Sequence, residues 1–81
     1  MDYEEIYSEY LDDYEIRRDE LICLCPFHEE NTASFYVNLD TGVYHCFGCD
    51  AKGNAITFIA EMEDISTTEA WKQLHNFERS E

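Results

Sequence analysis

Two short ligand pairs constrain the fold of this chain more than any other feature of its sequence. A Cys-x-x-His pair begins at Cys25, and a Cys-x-x-Cys pair begins at Cys46. This spacing lets a tight turn, or knuckle, direct both side chains at one ion, and two knuckles complete a tetrahedral set that leaves no position for a catalytic water. We therefore predict one structural Zn²⁺. Its predicted ligands are Cys25, His28, Cys46 and Cys49.

The length of the chain explains why a metal ion matters. Its 81 residues have room for one small domain, which we predict to span residues 1–81. A chain of this size buries only about 60–65% of the surface that its unfolded form exposes, so its apolar core alone is marginal. Apolar residues make up 44% of the chain and aromatic residues 15%, which is too much for a disordered segment. We expect metal coordination to supply the stability that burial does not.

The beginning of the sequence has neither the basic patch nor the apolar stretch of a secretion signal. No apolar run approaches the roughly 20 residues of a membrane span. We therefore expect a cytoplasmic protein without a membrane partner. In that reducing compartment, four cysteines indicate metal binding rather than disulfides.

Three further candidate ligands are interpreted differently. Cys23 alternates with Cys25 along a predicted strand, and we interpret it as a small packed residue rather than a ligand. His45 should point to the face opposite Cys46, where it is exposed or part of a surface patch. His75 lies on a late helix and is expected to face solvent.

The rest of the chain predicts a small α+β fold built around the knuckles. Helical spacing of Tyr, Ile and Leu predicts an acidic, Tyr-rich helix over residues 1–13 that frays near residue 12. Residues 14–52 predict hairpins that form the ribbon core. Two helices are predicted within residues 54–77. The first is capped by Asn54, and the second starts at a capping box that begins with Ser66. The predicted architecture is a zinc ribbon, an antiparallel sheet with two knuckles, flanked by one N-terminal and two C-terminal helices.

Two apolar stripes lie on these helices. The Tyr-rich stripe of the first helix is interpreted as packing on its own domain, with a partner-binding face as the alternative. On the last helix, Trp71, Leu74 and Phe77 are expected to continue the apolar face.

Taken together, these motifs resemble the CHC2-type zinc-binding domain of bacterial DnaG-type DNA primases, from about residue 6 to residue 77. The matching segments are Leu24-Cys-Pro-Phe-His28, Ser34-Phe35, Tyr44-His-Cys-Phe-Gly-Cys49, and Gly53-Asn-Ala-Ile56 with Phe58. The resemblance implies zinc at the four matched ligands, contact with single-stranded template, and a non-catalytic role, because a separate domain of such primases performs the chemistry. The chain departs from the family's pattern at residues 31–33 and 50–52, where the family has Lys-Thr-Pro and a more glycine-rich stretch.

The charge of the chain conflicts with direct binding of nucleic acid. Asp and Glu number 19 against five Lys and Arg, a formal net charge of −14. Aromatic side chains can stack on bases, but the phosphate backbone needs cations nearby. The candidate surface for nucleic acid or a partner consists of Phe35, Tyr36, Tyr44, Phe47, Arg17, Arg18 and Lys52.

The acidic residues are concentrated at the start of the chain, where nine of them lie within the first 22 positions beside two arginines. This density favours attraction of a partner. The candidate acidic partner face consists of Asp2, Glu4, Glu5, Glu9, Asp12 and Asp13.

Two functions fit these features. The first is a non-catalytic replication module that docks on a nucleic-acid enzyme (a primase, helicase, polymerase or nuclease), on single-stranded DNA, or on both. The alternative is a small acidic phage or mobile-element protein that inhibits a host nucleic-acid-binding enzyme as a DNA mimic, with the ribbon as scaffold. An enzyme is poorly supported, because the sequence offers neither a nucleophile–base set nor an open metal site.

Overall fold

The computed structural model describes residues 2–27, 29 and 32–79, with side chains as far as residue 76. Its elements are α1 (Tyr3–Ser8), β1 (Tyr14–Arg17), β2 (Glu20–Cys23), β3 (Phe35–Asn38), β4 (Tyr44–Cys46), β5 (Lys52–Gly53), α2 (Ala55–Glu63) and α3 (Thr67–Arg79). The strands form one antiparallel sheet in the order β1-β2-β3-β4-β5, so each strand pairs with its neighbour in sequence. This small α+β ribbon with flanking helices confirms the predicted fold class.

The sheet has one buried and one solvent-facing side, because side chains alternate along each strand. Leu21, Val37 and Tyr44 lie opposite one another on the inner side and are buried. Tyr36 precedes Val37 in the sequence, and His45 follows Tyr44. These two residues pair with each other on the outer side of the sheet and are half-buried. The outer side therefore carries the accessible aromatic side chains of the sheet.

The core is centred on Phe58 of α2, which is fully buried against the inner side of the sheet. Five aromatic rings surround it at centroid distances of 4.4 to 6.0 Å, from Tyr7, Tyr10, Phe27, Phe35 and Tyr44. Aromatic rings from α1, the first knuckle, β3 and β4 thus all pack against the Phe58 side chain. Through these contacts, α2 packs on the sheet and on the first knuckle.

Helix α1 is shorter than the predicted span of residues 1–13, since it ends at Ser8. Asp2 caps its start by accepting a hydrogen bond from the Glu5 amide at 3.2 Å. Its last turn contains no base, and Asp12 and Asp13 would lie at the negative end of a longer helix dipole. The helix therefore stops before these two acids.

The apolar stripe of α1 packs on its own domain, as interpreted from the sequence. Ile6, Tyr7 and Leu11 are all buried. The Tyr7 hydroxyl donates a hydrogen bond of 2.6 Å to the Gly42 carbonyl in the β3–β4 turn. Gly42 has a φ of +80°, and a Cβ there would collide with the Tyr3 ring, so this contact between helix and turn requires glycine.

Helices α2 and α3 form the predicted pair. The Asn54 side chain accepts a hydrogen bond from the Thr57 amide at 3.0 Å, and the Ser66 hydroxyl accepts one from the Glu69 amide at 3.2 Å. The expectation for Trp71 is wrong: Leu74 is buried in the core, whereas Trp71 is 50% exposed on another side of α3. The side chain of Phe77 lies outside the described residues. None of the helices within the described ranges is long and apolar enough to cross a bilayer.

Candidate metal centre and outer sheet surface

Three thiols meet at one end of the sheet. The Sγ atoms of Cys25, Cys46 and Cys49 lie within 4.8 Å of one another, and those of Cys25 and Cys49 are 3.8 Å apart. Cys25 follows β2 and Cys46 ends β4, and both strands pair with β3 between them. The strand register therefore brings the two knuckles to the same end of the sheet, as the ligand spacing predicts.

The backbone around the thiols is arranged as expected for metal ligands. The Phe27 amide donates to the Cys25 Sγ at 3.4 Å, and the Asp50 amide donates to the Cys46 carbonyl at 2.8 Å. Desolvation raises the pKa of the Cys25 thiol to about 12, although the Phe27 amide acts in the opposite direction. Because zinc binds the thiolate, binding would displace this proton and depend on pH. Three clustered thiols are a donor set that suits Zn²⁺.

The remaining candidate ligands are His28, Cys23 and His45, and they differ in their position relative to the thiol cluster. His28, the predicted fourth ligand, lies outside the described residues. Cys23 is buried on the inner side of the sheet and does not belong to the thiol cluster of the described residues. His45 lies on the opposite side from Cys46, and its Nε2 is 3.0 Å from Asp50 Oδ1. The packed interpretation of Cys23 and the surface interpretation of His45 both agree with this placement.

Three rings form a cluster on the outer side of the sheet beside the second knuckle. Phe47 is 68% exposed, and its ring centroid lies 4.4 Å from that of His45 and 5.2 Å from that of Tyr36. We call Tyr36, His45 and Phe47 the outer patch. His45, which strand alternation predicts to be exposed or part of a surface patch, lies in this cluster beside Tyr36 and Phe47.

Two residues of the predicted aromatic surface belong to the core instead. Phe35 is 0% exposed and Tyr44 is 2% exposed, and their rings stack on each other at 5.4 Å. Phe35 precedes Tyr36 and Tyr44 precedes His45, so neither can share the outer side of the sheet with its neighbour. The prediction of Phe35 and Tyr44 as surface residues is therefore wrong.

The three candidate cations do not form a basic patch. Arg17 and Lys52 lie on the strands at opposite edges of the sheet, and Arg18 lies in the β1–β2 turn with a φ of +57°. Glu15 Oε1 lies 2.9 Å from Arg17 Nε and offsets its charge. The pKa of Asp50 is lowered by its hydrogen bond with His45 and by the charge of Lys52, so an acid remains ionised beside the outer patch.

The six carboxylates of the predicted acidic face are exposed. Asp2 has a local structural role as the cap of α1. Asp12 and Asp13 lie between α1 and β1 rather than on a helix, so the six residues do not share one helical face.

A sequence profile described as CHC2 zinc finger, of the zinc-ribbon type found in DnaG, matches residues 1–81. The chain is 44% identical to the DNA primase of Helicobacter pylori over 78 residues, which are 95% of this chain and 14% of that protein. It is 45% identical to the DNA primase of Thermotoga maritima over 74 residues, which are 91% of this chain and 13% of that protein. The chain thus spans about a seventh of the length of these relatives.

A solved structure is similar as well. The structure of the zinc-binding and RNA polymerase domains of Aquifex aeolicus primase superposes with a TM-score of 0.83 at 39% identity, over 94% of this chain and 19% of that chain. The similarity lies in the zinc-binding domain, and zinc is the structural metal of the matched family. The chain therefore belongs to the CHC2 zinc finger family and is a zinc module of the kind that DnaG-type DNA primases use in replication.

Proposed function

We propose that Cys25, His28, Cys46 and Cys49 hold one Zn²⁺ that joins the two knuckles. The clustered thiols support the three cysteine assignments, and the Cys-x-x-His spacing of the first knuckle supports His28. A closed set of four protein ligands gives the ion a structural role, so zinc would supply folding free energy here. The ion would fix the end of the sheet that carries the second knuckle.

Cysteine replacement tests this ligand set. Cys46→Ser should abolish stoichiometric zinc and unfold the domain, because structural zinc is worth on the order of 10 kcal/mol in such folds. Cys23→Ala is the matched control, since it removes a buried thiol outside the cluster and should leave one zinc per chain. Metal analysis with circular dichroism measures both effects. Retention of zinc by Cys46→Ser, or its loss in Cys23→Ala, would refute the assignment.

We propose further that the outer patch contacts single-stranded DNA during primer synthesis by a replication complex. The observation that carries this proposal is the cluster of Tyr36, His45 and Phe47 on the outer side of the sheet beside the second knuckle, in which Phe47 is 68% exposed and the other two rings are half-buried. The Phe47 ring is exposed, so a base could stack on it, and stacking contributes about 1–3 kcal/mol per base. The relatives named above are DNA primases, which supports a template as the ligand.

The electrostatics of the outer side predict how such binding would behave. By strand register, Arg17 and Lys52 lie on the same side of the sheet as the patch, and Glu15 and Asp50 offset their charge. With about two phosphate contacts, log K should fall against log salt with a slope of only about −1.4. Stacking rather than charge would then supply most of the affinity.

Mobility-shift titrations with short single strands test this role. Phe47→Ser should weaken binding about tenfold or more, because it removes the most exposed ring of the patch. Trp71→Ser is the matched control, since Trp71 is an exposed aromatic residue on α3 and should not affect the affinity. No shift at low salt for the zinc-loaded protein, or equal losses in both variants, would reject DNA contact by the outer patch.

A second candidate function is supported by the exposed carboxylates near the start of the chain. Nine acids within the first 22 positions could occupy a basic groove of a nucleic-acid-binding enzyme, as in an inhibitor of the DNA-mimic type. The two functions differ in a direct assay. The inhibitor would reduce primer synthesis by an added primase even when template is in large excess, whereas excess template would abolish any reduction caused by a template-contacting module.

A further inference from the structure

A groove on the helical pair lies apart from both the metal centre and the outer patch. It has a volume of about 320 Å³ and is lined by Ile56 of α2 and by Thr67, Thr68 and Trp71 of α3. The Trp71 ring packs against His75 with centroids 3.9 Å apart, so one wall of the groove is braced. This volume falls at the lower end of the range for ligand sites, which suits a single large apolar side chain.

Trp71 is not needed to hold α3 on the domain. Ala70 and Leu74 are the buried residues that attach this part of the helix to the core, whereas Trp71 is 50% exposed. Exposed Trp side chains are enriched at the centres of protein interfaces, because a rigid, largely apolar ring buries a large area at little cost in conformational entropy. The position of Trp71 therefore indicates a docking surface for a protein.

Charge decides what kind of partner fits this groove. Glu61, Glu63, Asp64 and Glu69 lie on the two helices or at their junction and are exposed. Among the described side chains of α2 and α3, Lys72 is the single Lys or Arg, and its Nζ lies 3.7 Å from Glu69. The chain as a whole has a net charge of −14, which repels a second copy and attracts cationic segments. A basic protein segment is the complementary occupant.

We propose that this groove docks a basic segment of a partner protein, whose apolar side chain inserts between Ile56 and Trp71 while its Lys or Arg residues approach the carboxylates of the helical pair. This surface is separate from the outer patch, so the segment and a single strand can bind the same molecule together. The proposal extends the proposed function by adding a protein contact, and it does not depend on DNA binding.

The fluorescence of Trp71 reports on the groove directly, because it is the only Trp in the chain. The probe is a short synthetic peptide in which leucines alternate with pairs of lysines, titrated into the zinc-loaded protein. We expect a saturable shift of the emission to shorter wavelength with a Kd below about 100 μM at low salt. Raising the salt should weaken the binding several-fold, because the attraction is largely electrostatic.

Two control peptides separate insertion from general attraction. Replacing the leucines by serines keeps the charge and should abolish the saturable shift. Replacing the lysines by glutamates keeps the leucines and should also abolish it. Equal responses to the serine peptide would overturn the proposal in favour of non-specific charge binding. Emission that shifts with protein concentration alone would overturn it in favour of a second copy as occupant.

Thr68→Arg locates the site, because it adds bulk and positive charge at the rim of the groove. Thr41→Arg makes the same change in charge on the exposed β3–β4 turn and serves as its control. We expect Thr68→Arg to weaken peptide binding about tenfold or more and Thr41→Arg to change it less than about twofold. Equal effects would place the binding site elsewhere.

The outer-patch variant distinguishes the two proposals. Phe47→Ser should leave peptide binding unchanged even where it removes single-strand binding. Loss of peptide binding in folded Phe47→Ser would contradict the groove proposal, and failure of DNA binding alone would leave the groove result intact.

Discussion

Tyr7 links three parts of the molecule through one side chain. Its ring lies 4.4 Å from that of Phe58, and its hydroxyl donates to the Gly42 carbonyl at 2.6 Å in a buried position. Tyr10 makes a comparable bond of 2.9 Å to Glu63, but at the exposed surface. The two tyrosines therefore differ in burial while sharing the same chemistry.

Removing the Tyr7 hydroxyl should destabilise the domain. Tyr7→Phe leaves the buried Gly42 carbonyl without its donor, which costs about 1–3 kcal/mol of unfolding free energy. Tyr10→Phe is the control and should cost less than about 0.5 kcal/mol, since water can replace its exposed bond. Urea unfolding of the zinc-loaded proteins measures both changes. Similar losses in the two variants would contradict the difference in burial.

The same two tyrosines predict a loss of stability at high pH. Burial raises the pKa of Tyr7 far above 10, and burial together with the Glu63 hydrogen bond raises that of Tyr10 to about 12. The folded state thus keeps protons that the unfolded state releases above its own pKa of about 10. Stability should be complete below about pH 10 and fall as the pH rises further. Urea midpoints across this range should show a smaller decline for Tyr7→Phe, and a decline equal to that of the wild type would disprove the assignment.

At the scale of elements, the start of α2 positions the helix that carries Phe58. Asn54 Oδ1 accepts hydrogen bonds from the Thr57 amide at 3.0 Å and from the Thr57 hydroxyl at 3.1 Å. Gly53 directly before it leaves no space for a Cβ, which would approach Thr57 to 2.9 Å. A side chain at position 53 would therefore crowd the first turn of α2.

Asn54→Ala should weaken this junction. Loss of the cap costs about 1 kcal/mol, because the Thr57 amide loses its acceptor. Ser8→Ala is a suitable comparison, since the Ser8 hydroxyl only donates back to the Glu5 carbonyl at the surface end of α1. Thermal unfolding should show a lower midpoint for Asn54→Ala and almost no change for Ser8→Ala. An unchanged midpoint for Asn54→Ala would mean that packing alone fixes the start of α2.

The elements also show how much of this fold the sequence predicts. The knuckle spacing and the caps at Asn54 and Ser66 act over a few residues, and the structure confirms the fold and both caps. The early end of α1 follows from Asp12 and Asp13, whose charges are visible in the sequence. The outward position of Trp71 depends on tertiary packing, which local periodicity does not record. Phe35 and Tyr44 are buried because each alternates with an outer-side neighbour, Tyr36 or His45. The strand alternation that predicts the surface position of His45 therefore also predicts the burial of these two residues.

At the scale of the whole molecule, the zinc module combines a small aromatic core with a strongly acidic surface. The core is continuous from α1 through the sheet to α2 and α3. The net charge of −14 keeps copies of the chain apart and favours electrostatic attraction of cationic partners, so a nucleic-acid ligand would be held by stacking instead. Among the described side chains, the exposed aromatic residues Phe47 and Trp71 lie in different parts of the fold and define two surfaces with different proposed ligands.

The central claim is that one zinc ion with three sulfur ligands and one nitrogen ligand holds this ribbon together. X-ray absorption at the zinc edge tests it most directly, combined with metal analysis of the purified chain. We predict one zinc per chain, with three Zn–S distances of about 2.3 Å and one Zn–N distance of about 2.0 Å, the nitrogen coming from His28. The nitrogen signal should disappear in His28→Cys while zinc is retained. Four sulfur ligands in the wild-type protein, or a chain that folds without zinc, would contradict the account.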